Sequence, residues 1–117
     1  MANDFVSQVE DLTVADDATV SAGFQVPKWA IFCGVWLVDC DAADVGIQIC
    51  DTESGTYVPI IDITDGDDLI IVASGADPCW VDFSDFVRAV PYSYWLQLTF
   101  SAAQSGGPYT HKLFFRG

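Results

Sequence analysis

The chain has 117 residues, 4 Lys plus Arg against 17 Asp plus Glu for a formal charge of −13, and 51% apolar residues. One domain fits this length, and the apolar share excludes a disordered acidic tail. With only Lys28, Arg88, Lys112 and Arg116 as cations, nucleic-acid binding is nearly excluded and attraction to an anionic membrane is disfavoured.

The acids are 15 Asp and 2 Glu, Glu10 and Glu53. Asp suits turns and is poor in helices and strands, so this ratio predicts many loops and little exposed helix. The first ten residues contain Asp4 and Glu10 with no basic region and no continuous apolar run. No secretory signal is read there, and synthesis in a cytosol is expected. The longest apolar stretch, Trp29 to Val38, is about half of the ~20 residues that span a bilayer, and reads as a buried strand.

In chain order, residues 1–16 scatter Phe5, Val6, Val9, Leu12 and Val14 among Asp4, Glu10, Asp11 and Asp16 without a sustained period. They read as an N-terminal arm, with a frayed terminus or a first edge strand as the other possibility. As an arm the segment cannot close its own core, so its apolar residues are expected to contact a neighbouring subunit. Its deletion would then leave the rest folded. Residues 17–117 read as one β domain.

Thr19 to Val26 places Val20, Ala22, Phe24 and Val26 at period 2 before Pro27 ends the ladder. Trp29 to Val38 follows, with Trp29, Ile31, Cys33, Val35 and Leu37 on one face and Ala30, Phe32, Gly34, Trp36 and Val38 on the other. Both faces are apolar, so one packs in the core while the second is covered or used. Val45 to Cys50 and Thr56 to Ile63 form a hairpin around a five-residue loop containing Gly55. Leu69 to Ser74, Cys79 to Phe86, Tyr94 to Phe100 and Tyr109 to Arg116 continue the alternation, with a glycine-rich turn, Ser105 to Pro108, before the last. About eight strands with turns every 8 to 14 residues predict an all-β fold. The expected form is a two-sheet antiparallel sandwich, jelly-roll-like, with an extended N-terminal arm.

His111 is the single histidine and any Ser-His-Asp or Cys-His device must use it. It lies in a strand-like run, which reads as a satisfied or half-exposed strand histidine. No nucleophile elbow, P-loop or dinucleotide fingerprint occurs, and no enzymatic activity is expected. Cys33, Cys40, Cys50 and Cys79 show no CxxC spacing and read first as buried thiols. Asp62, Asp65, Asp67 and Asp68 around Gly66 are a weak calcium candidate, as are Asp39, Asp41 and Asp44, but no EF-hand spacing is present. The competing reading for both groups is Asp capping of turn N–H groups. No other cofactor is expected.

The aromatic excess, 4 Trp, 4 Tyr and 8 Phe, is the most informative feature. A sandwich this small cannot bury them all, so Trp36 or Trp95 is expected on a partner surface. With Phe5, Val6, Val9 and Leu12 of the arm, these are the candidate contact residues.

Pro27 and Trp29 through Val45 to Gln48, then TESGTYVP (52–59), YWLQLTFS (94–101), Gln104 and KLFFRG (112–117), are similar to small β-sandwich virion proteins of tailed bacteriophages. The resemblance covers residues 24 to 117 and is one of strand and turn texture, with no fixed motif. It implies a head decoration (cement) protein or a related tail or fibre module, located in the virion and made in the host cytoplasm. It would bind the major capsid protein or other virion proteins in many copies or as a homo-oligomer, without catalytic residues. The alternative is a carbohydrate- or receptor-binding module of a tail fibre, with calcium dependence and use of Trp36, Trp95 or Tyr92. A carboxylate hydrolase ranks last.

Overall fold

The computed structural model describes residues 7–73 and 77–117. Its strands are β1 (Ser7–Val14), β2 (Phe32–Leu37), β3 (Val45–Cys50), β4 (Val58–Pro59), β5 (Ile70–Val72), β6 (Cys79–Asp82), β7 (Trp95–Phe100) and β8 (Tyr109–Arg116), with one helical turn, α1 (Ser84–Val87). The protein is an all-β sandwich of two antiparallel sheets.

The first sheet has the order β1-β8-β2-β6. In the second, β3 pairs along its whole length with β7, while β4 and β5 pair with its end and its start. The segment around Val20 and Phe24 lies along β7 through bridges to Thr99 and Leu96. Following the chain, β1 belongs to the first sheet, 20–24 to the second, β2 to the first, β3 to β5 to the second, β6 to the first, β7 to the second and β8 to the first. This alternation is the wound double Greek key of a jelly roll. The core fills from both inner faces, with Leu12, Val14, Val35, Leu37, Leu113 and Phe115 meeting Val45, Ile47, Leu96, Leu98 and Phe100.

Period-2 patterning places β3 and β8 at their expected limits and yields the β3–β4 hairpin through Gln48↔Pro59 and Ile49↔Val58, although its returning strand is only Val58–Pro59 where Thr56 to Ile63 was expected. Three further expectations are corrected. The first concerns the arm. Over residues 7–14 it is an edge strand, paired with β8 from Ser7↔Arg116 to Val14↔Tyr109. Leu12 and Val14 complete the core, so these residues belong to the sandwich that was expected to begin at residue 17. The segment lacks a sequence signal because only its last inward positions, Leu12 and Val14, are deeply covered, while inward Gln8 and Glu10 lie at the half-buried margin.

Thr19 to Val26 is not a regular strand. Val20 and Ala22 are exposed while Phe24 is buried, and the Ser21 hydroxyl, accepting from the Leu98 N–H at 2.9 Å, intrudes between the backbone rungs. Cys79 to Phe86 is also interrupted. The Asp82 carboxylate accepts the Ser84 N–H at 3.0 Å and the Ser84 hydroxyl at 2.6 Å, a local side-chain-to-backbone turn of the kind Asp favours over a continuing ladder, and α1 follows it.

Candidate functional site

On β2 the inward residues are Cys33, Val35 and Leu37, which leaves Phe32, Gly34 and Trp36 facing out. The register Trp36↔Trp80, Gly34↔Phe114 and Val9↔Phe114 brings Trp80 of β6, Phe114 of β8 and Val9 of β1 onto the same outer face. Trp80 stacks with Phe32 at 5.9 Å between ring centroids and meets Phe114 edge-on at 5.2 Å. Such pairs contribute about 1 kcal/mol each beyond their buried area, so the rings hold one another in a fixed layer. That layer stays open: Val9 is 55% exposed, Trp36 43% and Trp80 45%.

The charges on this face sit beside the rings. Arg116 lies over Phe32, its guanidinium carbon 5.6 Å from the ring centroid, and Lys112 pairs with Asp11. The result is a rigid aromatic surface edged by two of the chain's four cations. It offers anchor side chains of the types that dominate binding energy at interfaces.

Of the expected contact residues, Val9 and Trp36 are together on this face. Leu12 is not available: it is 2% exposed, facing the core beside His111. Trp95 is half-buried on the outer side of the second sheet, against Gly23, so it does not join Trp36. Phe5 and Val6 lie outside the described residues. Phe32, Trp80 and Phe114 were missed by sequence reasoning. The signal for Phe114 was its place between Lys112 and Arg116 on the non-core side of β8, and for Phe32 its place on the second apolar face of Trp29 to Val38. Trp80 could be attached to them only by register.

His111 is fully buried, not half-exposed, and stacks against Phe100. Its Nδ1 accepts the Val38 N–H at 3.1 Å, while Nε2 has no partner among the described residues. Burial pulls its pKa down to about 4, and a neutral ring enclosed in the core is out of reach of a substrate. Cys33 and Cys50 are buried thiols; burial, with Asp82 nearby, pushes Cys33 up to about 12. Cys40 and Cys79 are half-buried, short of the expected burial.

The acidic turns act on their own backbone. Asp62 accepts the Thr64 N–H and Asp65 the Asp67 N–H, each at 2.9 Å. The Asp41 carboxylate accepts from the Ser105 N–H and hydroxyl, the Gly106 N–H and the Tyr109 hydroxyl, bonds that hold its pKa below the usual carboxylate value, the Ser105 hydroxyl first among them. Among the described residues no three His, Cys, Asp or Glu side chains converge as a metal site.

Comparison with protein-family models, with curated proteins and with solved structures finds no significant match to this chain.

Proposed function

We propose that the chain is a non-catalytic virion structural protein, a capsid decoration or stabilising protein that docks on the major capsid protein through the outer face of its first sheet. The observation that carries this reading is the open layer of Phe32, Trp36, Trp80 and Phe114 on one face of a four-stranded sheet, with Trp80 packed against Phe32 and Phe114. An exposed apolar patch on a small domain otherwise rich in surface acid marks an interaction site. Many copies of a −13 chain would also keep a particle soluble and repel nucleic acid. The jelly-roll path, common among viral capsid and lectin domains, adds support by analogy of fold only.

The test is occupancy of purified empty heads by added protein. Wild type should bind in fixed stoichiometry, and Trp36→Asp and Trp80→Ser, both at exposed positions, should fold normally and fail to bind. Equal occupancy by the variants would overturn the docking face, and no binding by the wild type would overturn the capsid assignment. A second reading is favoured by the adjacent, half-exposed pair Trp36↔Trp80, which is also a stacking platform for a sugar ring. Glycan-array binding lost in the same two variants would replace the first reading with that one.

A further inference from the structure

At the end of the sandwich where β2 begins, α1 and the lead-in to β7 close around a cavity of about 170 Å³. Val26, Ala30, Val87 and Leu96 are among its walls; Val87 and Leu96 belong to the buried core, so the cavity is a cleft running into the space between the sheets. A cavity of about 150 Å³ lined by aliphatic groups accepts a single benzene ring, which sets the size of body this cleft takes. Cys33 lies at the same surface and is held as a neutral thiol by its burial. Ser84, the buried polar side chain there, is satisfied internally by the Cys33 N–H and by Asp82. Neither therefore asks for a polar partner inside the cleft.

The polar demand is at the mouth. Lys28 and Arg88, two of only four cations in a chain of net charge −13, both line it. Lys28 is held over the Tyr92 ring with its ammonium 5.8 Å from the centroid, and it takes part in neither of the ion pairs recorded among the described residues. Arg88 pairs with Asp85, whose side chain is 97% exposed. An ion pair so open to water holds its partner weakly, which leaves the guanidinium able to donate to another carboxylate. Arg116 is stacked on Phe32, a residue shared by this cleft and the aromatic face.

We propose that this cleft is a binding site for a small amphipathic carboxylate, its apolar body the size of one aromatic ring seated between Val87 and Leu96 and its carboxylate at the mouth against Lys28 and Arg88. The site adjoins the docking face at Phe32, but its cations and apolar walls are its own and the proposal does not rest on docking. An apolar body alone would give affinity without charge preference, whereas cations concentrated at one mouth of an acidic protein select an anion.

The experiment titrates the full chain with phenylpropanoate, its neutral amide and phenylpropylamine, followed by amide NMR. Phenylpropanoate should move resonances of residues 26–33, 84–91 and 94–96, and bind at least about tenfold more tightly than the amide, a difference of about 1.4 kcal/mol. The amine should bind most weakly. Lys28→Glu and Arg88→Glu, at exposed positions, should leave the spectrum of the fold unchanged and abolish the preference for the acid while the amide's affinity stays the same. Three probes of equal affinity, a preference that survives both variants, or shifts centred on Trp36 and Trp80 would each overturn the proposal.

Discussion

Trp80 lies across Gly34. A β-carbon built at Gly34 would come within 2.5 Å of Cζ2 and 2.7 Å of Cη2 of the indole, and within 3.1 Å of the Val81 carbonyl. The missing side chain in β2 is therefore what lets the ring settle on the sheet between Phe32 and Phe114. Gly34→Val should expel the indole while adding a residue type that strands favour. We expect a folded protein, destabilised by about 1 to 2 kcal/mol through the two lost ring contacts, with a weakened near-ultraviolet circular dichroism signal and lost head binding. An unchanged aromatic signal would show that Gly34 does not set the ring's position.

The buried His111 makes stability depend on pH. Its folded value, about 4, lies below the ordinary 6.5, so between these limits the unfolded chain takes up a proton that the folded chain refuses. Stability is full above about pH 6.5 and falls as the pH drops toward 4, by at most about 3 kcal/mol. His111→Leu should cost stability at neutral pH by leaving the Val38 N–H unpaired, yet flatten the loss between pH 6.5 and 4. Urea denaturation of both proteins across that range measures the difference; charge repulsion among the acids acts on both alike. Parallel curves would remove His111 as the cause.

Asp41 ties the 105–109 turn to the chain between β2 and β3. Asp41→Ala removes every acceptor for the Ser105 and Gly106 N–H groups that its carboxylate supplies, so those two amides should exchange with solvent much faster, while the amides of β8 keep their protection. Asp41→Asn, which retains one oxygen, should fall between. Because the carboxyl is held below its ordinary value, its contribution persists above the ordinary carboxylate range and is lost as the pH falls through the lowered value. Exchange at Ser105 unaffected by Asp41→Ala would refute the assignment.

The first strand pairs with β8 and buries Leu12 and Val14, so deleting the arm is expected to disrupt the sandwich and not to leave it intact. Leu12→Ala should destabilise the protein by about 2 to 5 kcal/mol, as for other core leucines, and deletion of residues 2–14 should unfold it by also stripping the whole β1 edge of β8. Val9→Ser, at a position 55% exposed, should leave stability within about 0.5 kcal/mol. Thermal melts of the three separate these outcomes; a folded deletion variant would restore the arm.

The architecture was legible where residue type recurs at period 2. β8 alternates buried His111, Leu113 and Phe115 with more exposed neighbours, and β3 sets Val45, Ile47 and Ile49 against Gly46, Gln48 and Cys50, so the pattern gives their limits. The face occupied by Trp36 was legible in the same way, as the second apolar side of a strand that needs only one for the core. The pattern misled where hydrogen bonding outcompeted it: Ser21 interrupts the rungs beside β7, and Asp82 ends β6 by turning the chain through its bonds to Ser84.

By itself, then, the sequence determined the class, the strand material and the excess of aromatic surface, because apolar periodicity and turn chemistry are local properties. The tertiary structure alone decided that Val9, Phe32, Trp36, Trp80 and Phe114, drawn from four strands, share one face, that Trp95 lies apart from them, and that Lys28 and Arg88 meet at one cleft. Those placements depend on strand order and register between segments far apart in the chain, and no local pattern encodes which strand becomes the neighbour of another.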